Sequence, residues 1–416
     1  MADQFDPRYR LAPRQTEDPG ARRRARMLLE QQRDRLREIP RRPENIGRFE
    51  AWAEGRDLPD DRPRIGTLCT LIPFELVYAL GGLPVRLGCG NAALVQRGEE
   101  VLTGDVCPLA KASFASFLDP QGPAGGCAAV VLPSSCDAKR KLGEILADFS
   151  PTFVFNLPPE QDAHRYGRFA ADEVARLAQF LARVLGRRLT RRSLRRAVRE
   201  GRRRTALVRA LQDARAREPG ALSVRDFFLI LQALHQGADP QDWAREASRV
   251  LEWARAYRPE RPRMRPRLVL TGAPLQWPNF KLLHLIEESG ADVVADTLCT
   301  GAQSLYDPVV ADEWSRGAQY RSLAQRYVFA SACPCFISQA TRLSRVLDLV
   351  DATRADGVVH HGLRLCQLFD IETYRLSQVL KERKIPFLHV RTDYSLEDVE
   401  QLRVRFEAFL EQVEGV

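Results

Sequence analysis

The spacing of hydrophobic positions predicts short buried strands that alternate with amphipathic helices. Three short apolar runs rich in Val, Leu and Phe have the length of buried strands, the alternation starts at RPRIGTL (62–68), and helical spacing appears at 73–82 and 139–149. Alternation of this kind is typical of parallel strands joined by helices. The predicted strands of this first region are 62–68, 83–88, 127–133 and 152–158.

The pattern changes in the middle of the chain, where residues 165–258 show only helical periodicity. Ser223 and Asp239 are placed as helix N-caps, and Pro240 suits a first helical turn. A last helix is predicted after Ser395, with Asp398 completing an approximate capping box. Strand and helix patterns alternate again from residue 265, with predicted strands at 265–272, 291–299, 356–361 and 385–390.

Together these patterns predict an α/β protein. We expect two Rossmann- or flavodoxin-like domains with mainly parallel sheets, a helical insertion between them and a helical N-terminal arm. The chain is long enough for each domain to bury its own core. The predicted boundaries are 1–60 for the arm, 61–164 for the first α/β domain, 165–260 for the insertion and 261–416 for the second α/β domain.

Arginine gives the chain its net charge of +9. Residues 183–210 hold twelve arginines against one acid, and residues 21–42 form a second basic block. Such blocks suit nucleic acid, nucleotide phosphates or an acidic protein. The first block instead repeats Leu, Val and Ala at helical spacing without aromatic residues that stack on bases, so a solvated helix face is favoured and nucleic acid is disfavoured.

Targeting signals are not recognisable in the sequence. The first fifteen residues have no apolar core of a signal peptide, and no apolar run approaches the roughly 20 residues of a membrane span. We therefore expect a cytoplasmic protein without membrane contact.

Nine cysteines carry the candidate chemistry, because disulfides are disfavoured in a reducing compartment. Most of them fall just after a predicted strand or just before a predicted helix, where ligands bind in α/β sheets. Paired zinc knuckles are absent from the sequence, so thiolates from distant loops favour an iron–sulfur cluster over zinc. The nine are Cys69, Cys89, Cys107, Cys127, Cys136, Cys299, Cys333, Cys335 and Cys366.

Several motifs resemble the 2-hydroxyacyl-CoA dehydratase and benzoyl-CoA reductase superfamily. The similarity runs in order from about residue 62 to residue 412. The segments that carry it are GTLCTLIPFELVYALGGLPVRLGC, CPLAKASF, SSCDAKRKLGEIL, LCTG, CPC, DGVVHHGLRLC and IPFLHVRTDYS.

The resemblance implies a cofactor and a set of ligands. In dehydratases of that superfamily three cysteines hold one [4Fe-4S] cluster, and the matching positions here are Cys107, Cys136 and Cys366. The additional cysteines resemble those of double-cubane proteins, which hold an [8Fe-9S] cluster with six cysteines. Spacing alone does not choose the second set of three among Cys69, Cys89, Cys299, Cys333 and Cys335; we take Cys69, Cys333 and Cys335 as ligands.

The Cys333-Pro-Cys335 sequence is interpreted as a local chelate. Pro334 stiffens the backbone between the two sulfurs, which suits a metal site better than a redox switch. Cys127, which lies inside a strand run, is expected to be an ordinary core residue.

Other residues are candidates for proton transfer or charge. Glu75 lies in the first turn of a predicted helix after Cys69, where it either compensates the helix dipole or donates a proton near the cluster. His360 and His361 end a predicted strand before Cys366, and we expect one of them to face the crevice. The alternatives are a packed or solvated histidine and a proton carrier, for which His361 is the candidate. The basic residues 139–141 either offset cluster charge or form an exposed helical turn.

The resemblance implies an iron–sulfur oxidoreductase that reduces a small substrate. The resemblance also implies that its low-potential electrons come from a separate ATP-hydrolysing [4Fe-4S] reductase, which is consistent with the lack of a P-loop motif in this sequence, and that the protein is a homodimer. One alternative is an acyl-CoA dehydratase or reductase subunit with a single [4Fe-4S] cluster, which implies CoA and a different partner subunit. Another is a non-catalytic, arginine-rich binding protein with incidental cysteines.

Overall fold

A computed structural model describes residues 4–5, 11, 15–59, 61–259 and 265–415. Its strands follow the predicted apolar runs closely, and the third begins and ends where the pattern predicts. In chain order they are β1 (Arg64–Thr67), β2 (Leu83–Arg86), β3 (Cys127–Pro133), β4 (Thr152–Phe155), β5 (Arg267–Gly272), β6 (Asp292–Asp296), β7 (Gly357–Leu363) and β8 (Phe387–Thr392).

These strands form two parallel sheets with the same topology. The first sheet has the order β2-β1-β3-β4 and the second has the order β6-β5-β7-β8. Register pairs such as Gly66 with Val130 and Val359 with Leu388 run in parallel. Because helices cover both faces of such sheets, strands such as β7 are buried along their whole length. This order confirms the predicted α/β class with two parallel units.

Helices make up most of the remaining structure. The predicted all-helical region contains four long helices, α7 to α10, and the predicted arm contains α1 and α2. In chain order the helices are α1 (Pro19–Arg37), α2 (Ile46–Ala53), α3 (Phe74–Ala79), α4 (Ala92–Gly98), α5 (Pro108–Leu118), α6 (Asp137–Leu146), α7 (Ala163–Val184), α8 (Arg191–Arg217), α9 (Val224–His235), α10 (Pro240–Arg255), α11 (Lys281–Glu288), α12 (Arg316–Ala324), α13 (Ala340–Thr353), α14 (Gln367–Glu382) and α15 (Val399–Glu414).

Helix termini confirm the predicted caps in the helical region and correct the last one. The side chains of Ser223 and Asp239 accept backbone N–H bonds at the starts of α9 and α10. Asp398 makes no side-chain cap bond to α15. Its carboxylate instead binds Lys281 and Thr392, so the predicted capping box does not form because an ion pair with α11 takes the carboxylate.

The largest core joins the helical region and the N-terminal helices to the second sheet. Every residue of α9 is buried, and this helix packs against α2, α10 and α11. Phe227, Phe228 and Phe280 form edge-to-face pairs in this core. The domain boundaries drawn from the sequence stay a prediction, and part of the predicted arm lies outside the described residues.

A segment from the second half of the chain packs into the core of the first sheet. Val309, Leu323, Tyr327, Val328 and Phe336 are buried among side chains of β1, β3, β4, α3 and α7. The chain leaves β6, contributes α12 and a π-helical turn to the first unit, and then returns to the second sheet through α13. The two α/β units are therefore interlocked by this excursion.

The helices in the described part of the chain differ from membrane-spanning helices. None of them is both long enough and apolar enough to cross a bilayer.

The ion pair between Arg42 and Asp226 provides a stability test. Asp226 is fully buried at the start of α9, and Arg42 Nε donates to its carboxylate oxygens at 3.0 and 3.1 Å. Burial raises the pKa of Asp226 to about 6, although Arg42 opposes the rise. Replacing Arg42 by alanine should lower the free energy of unfolding by about 3 kcal/mol at pH 8, because a buried carboxylate loses its partner.

The same variant should be less damaging at pH 5. A carboxyl with a raised pKa takes up a proton in the folded state as the pH falls below about 6, and a neutral Asp226 needs its cation less. Urea unfolding at both pH values measures the difference. Arg37→Ala is the control, since the Arg37–Asp34 pair is exposed and should matter little at either pH. An equal loss at both pH values would contradict the assignment.

Candidate functional site

One cavity of about 670 Å³ lies between the carboxyl ends of the two sheets. Loops after β1 and β3 reach it from the first sheet, and loops after β5, β6 and β7 reach it from the second. The strand order reverses between β1 and β3 in the first sheet and between β5 and β7 in the second. Doubly wound sheets bind ligands at such points. Seven cysteines line the cavity: Cys69, Cys107, Cys136, Cys299, Cys333, Cys335 and Cys366.

Three of these cysteines are the N-cap residues of helices. Cys107 precedes α5, Cys136 precedes α6 and Cys366 precedes α14. Burial raises the pKa of the Cys107 and Cys366 thiols, and nearby backbone N–H groups oppose the rise. Helix N-termini carry partial positive charge and unpaired N–H groups, so all three sulfurs sit where a negative charge is stabilised.

The residue before Cys366 has an unusual backbone conformation. Leu365 has a φ of 64°, in the left-handed region that residues with a side chain seldom adopt. This turn ends β7 and starts α14 within three residues. The strained turn places Cys366 at the edge of the sheet instead of continuing the strand past it.

Cys333 and Cys335 lie on the loop that follows the π-helical turn 325–329. The Cys335 thiol donates a hydrogen bond to Cys333 and lowers the pKa of Cys333; burial opposes this, and Lys139 and Arg342 add to the lowering. Both cysteines pack against the core of the first sheet. They are free thiols, as are the other seven cysteines, so the structure contains no disulfide between them.

Six cationic side chains line the cavity beside the thiols, among them Lys139, Arg86 and Arg342. Burial lowers the pKa of Lys139, but the fields of nearby cysteines, with Cys69 first, more than offset this and leave the pKa raised. Arg86 Nη1 donates to the Cys299 carbonyl oxygen at 3.2 Å, and Arg86 Nη2 lies 3.7 Å from Cys299 Sγ. Arg342 also lines the cavity and is almost fully buried. The cavity is therefore electropositive and suits a group with negative charge.

The distances between the sulfur atoms indicate whether the thiols suit a cluster of several metal ions or one metal ion. Four thiolates around one zinc ion at 2.3 Å lie about 3.8 Å apart. Among the residues that the structure describes, no three cysteine sulfurs lie within 4.8 Å of one another. The thiol donor set thus fits a cluster of several irons better than one tetrahedral ion.

Two cysteines lie outside the cavity lining. Cys89 follows β2 in a loop whose next residue, Gly90, is held against Trp277 by a 3.0 Å backbone hydrogen bond. Burial raises the pKa of Cys89 to about 11. Cys127 is the first residue of β3, at the opposite end of that strand, where its Sγ lies 3.5 Å from the Pro123 carbonyl oxygen.

The predicted proton carriers do not line the cavity either. Glu75 is buried at the start of α3 and accepts a 2.8 Å hydrogen bond from Tyr327 Oη. These two side chains border a separate cavity of about 20 Å³, which shares Arg326 with the large one. Both catalytic assignments, to Glu75 and to His361, stay predictions.

The two histidines at the end of β7 are enclosed within the second sheet. His361 Nδ1 lies 2.8 Å from the Ala273 carbonyl oxygen, and burial lowers its pKa to about 4. His360 Nε2 lies 3.2 Å from the Phe369 carbonyl oxygen. The expectation that one of them faces the crevice is not met, since neither lines the cavity; β7 is a central strand covered on both faces.

Sequence reasoning found Lys139 but missed Arg86 and Arg342. Arg86 had a usable signal, because a charged residue interrupts the apolar run of β2. Arg342 lies on α13 among other arginines and had no such signal. Its role follows only from the packing of α13 beside the cavity.

Comparison with known proteins identifies the family. Residues 69–413 match the family described as 2-hydroxyglutaryl-CoA dehydratase, D-component. The chain is also 30% identical over 358 residues to "Putative dehydratase subunit YjiM" of Escherichia coli (strain K12), an alignment that covers 84% of this chain and 91% of that protein. The chain therefore belongs to the 2-hydroxyglutaryl-CoA dehydratase D-component family.

Proposed function

We propose that this protein is an iron–sulfur reductase component with a double-cubane [8Fe-9S] cluster in the large cavity. Low-potential electrons would come from an ATP-hydrolysing reductase, and a small substrate would be reduced. Proteins of the family typically contain iron–sulfur clusters and work with an activator reductase. The observation that carries the finer proposal is the convergence of seven thiols on one cavity.

The number of thiols separates the proposal from its nearest alternative. A single [4Fe-4S] cluster has four irons, and so at most four thiolate ligands. Cys107, Cys136 and Cys366 would supply three ligands for one cubane. Cys69, Cys333 and Cys335 would supply three more, and Cys299, which Arg86 holds in place, is an alternative to one of them.

When bound, the cluster would supply the one-electron chemistry, while the chain controls its surroundings. The N-termini of α5, α6 and α14 and the charges of Lys139, Arg86 and Arg342 would stabilise thiolates. Glu75, hydrogen-bonded to Tyr327, is the proposed proton donor, and Arg326 connects its cavity to the thiol cavity. We propose a homodimer as the assembled form.

The second candidate is a dehydratase subunit with one [4Fe-4S] cluster. The family match and the name of the Escherichia coli relative favour it. It would leave Cys69, Cys299, Cys333 and Cys335 without iron. Iron and sulfide content of anaerobically purified protein separates the two, because a double cubane contains about eight irons and a single one about four.

Replacing Cys107, Cys136 or Cys366 by alanine should remove most of the visible cluster absorbance and abolish turnover. Each variant removes one ligand from the helix N-termini that face the cavity. Anaerobic absorption spectra and iron content measure the loss. Cys127→Ser is the matched control and should keep both, and full iron content in all three alanine variants would refute the ligand assignment.

Replacing Cys333 and Cys335 together by serine should lower iron from about eight to about four per chain. The cubane on Cys107, Cys136 and Cys366 should remain, because those thiols lie on other elements. Iron analysis of the double variant beside Cys127→Ser measures this. Wild-type protein with only four irons would favour the dehydratase candidate instead.

Association with the electron donor should weaken as salt concentration rises, because the exposed arginines of α8 attract an acidic surface. Replacing Arg192, Arg199 and Arg203 by glutamate should weaken binding and flatten its salt dependence. Titration of the reductase in an anaerobic binding assay measures both effects. The control makes the same change at three exposed arginines of α1: Arg23, Arg24 and Arg26. Salt-insensitive binding, or equal effects in both variants, would remove α8 from the interface.

A further inference from the structure

The backbone that leads to Cys333 and Cys335 is held by one side chain from the first α/β unit. Gln161 Nε2 lies 2.8 Å from the Val328 carbonyl oxygen, 3.2 Å from that of Phe329 and 2.7 Å from that of Ser331. Gln161 belongs to the connection between β4 and α7. A single amide thus binds three carbonyl groups within the four residues 328–331, just before the two thiols.

These carbonyl groups lie where the hydrogen-bond pattern of the π-helical turn ends. The last carbonyls of a helix have no partner within the helix. The π-helical turn 325–329 closes with a bond from Ala330 N to the Gln325 oxygen, and the Val328 oxygen also accepts from Ser331 N at 3.4 Å. The two hydrogens of the Gln161 amide are shared among the carbonyl oxygens of Val328, Phe329 and Ser331.

Gln161 is itself held in place by its neighbours. Asp162 caps α7 by accepting from His164 N at 2.9 Å and Arg165 N at 3.1 Å. The Pro159 carbonyl oxygen accepts from Ile337 N at 3.0 Å. Residues 159–162 therefore form hydrogen bonds with the backbone both before Cys333 and after Cys335.

The second α/β unit holds the same loop from the other side. Arg342 Nη1 donates to the Ala332 carbonyl oxygen at 3.1 Å. Arg342 is fixed in turn by Thr271 Oγ1 at 3.0 Å and by an ion pair with Glu372. The loop is thus fixed by hydrogen bonds from Gln161 of the first unit and from Arg342 of the second.

We propose that Gln161 is a positioning residue that directs the Cys333 and Cys335 thiols toward the cavity. The inference rests on the proposed function only in taking these thiols as cluster ligands. Its effect on the thiols themselves needs no metal, so the two ideas can fail separately.

The test compares Gln161→Glu and Gln161→Met in the full-length chain. Glutamate keeps the size of glutamine but replaces the donor by an acceptor facing three carbonyl oxygens, and methionine removes the donor without adding charge. In reduced, metal-free protein, alkylation of each thiol by iodoacetamide is followed by mass spectrometry. Cys333 and Cys335 should react about tenfold faster in both variants, because local opening becomes easier when these hydrogen bonds are lost.

Internal and external controls separate positioning from general damage. Cys107 and Cys136 should react at wild-type rates, and the urea midpoint should stay close to that of wild type. Glu160→Gln alters the residue next to Gln161, which pairs with Arg165, and should leave the alkylation rates of Cys333 and Cys335 unchanged. Unchanged rates at Cys333 and Cys335, or equal acceleration at all thiols with a lower midpoint, would overturn the proposal.

Iron content then connects the inference to the cluster. After anaerobic reconstitution, the Gln161→Glu variant should lose a large part of the iron that Cys333 and Cys335 would hold, while Glu160→Gln keeps it. Retention of the wild-type iron content would contradict the proposal that Gln161 positions Cys333 and Cys335 as cluster ligands. If wild-type protein takes up no iron, the proposed function fails, and the alkylation rates still decide the role of Gln161.

Discussion

Parallel pairing of the strands is the constraint on which the candidate site depends. In a parallel sheet every strand ends at the same edge, so residues distant in sequence meet there without any local motif. β3 shows the effect within one strand. Cys136, just beyond its carboxyl end, lines the cavity, whereas Cys127 at its first residue is a strand length of roughly 20 Å away.

Gathering thiols in one enclosed space creates an electrostatic cost that the protein must offset. Burial alone raises the pKa of Cys107 and Cys366 and so disfavours the thiolates that metals bind. The compensation comes from several elements: the N-termini of three helices, Lys139 on α6, Arg86 on β2 and Arg342 on α13. Because no single element provides it, the site depends on the packing of both sheets.

Much of the fold was readable from the sequence because short apolar runs with helical connections have few solutions. The cysteines after β1, β3, β6 and β7 were placed correctly at the carboxyl ends, since that argument needs only strand positions. Cys89 stayed outside the cavity because its loop docks on Trp277, a tertiary contact without a local signal. The histidines of β7 lie outside the cavity because they precede the end of the strand, where both faces of the sheet are covered, whereas Leu363, its last residue, does line the cavity.

Long-range packing was the part that sequence reasoning did not reach. Residues 309–336 lie in sequence between β6 and β7 of the second sheet but pack on the first, and hydrophobic periodicity does not indicate which sheet a helix covers. The sequence gives no sign of the role of Gln161 either, because a single polar residue between a strand and a helix is common. Its partners lie 167 to 170 residues further along the chain and become visible only in three dimensions.

The sequence distance between the thiols has a consequence for synthesis. Cys69 and Cys366 are 297 residues apart (366 − 69) and face the same cavity. At 5 to 20 residues per second, roughly 15 to 60 s separate their emergence from the ribosome. During that interval Cys69, Cys107 and Cys136 belong to a nascent chain in which the second sheet, the other side of the cavity, is not yet complete. The growing polypeptide therefore exposes half of a thiol-rich cavity to oxidants and stray metal ions, which makes chaperoning of the emerging first sheet valuable.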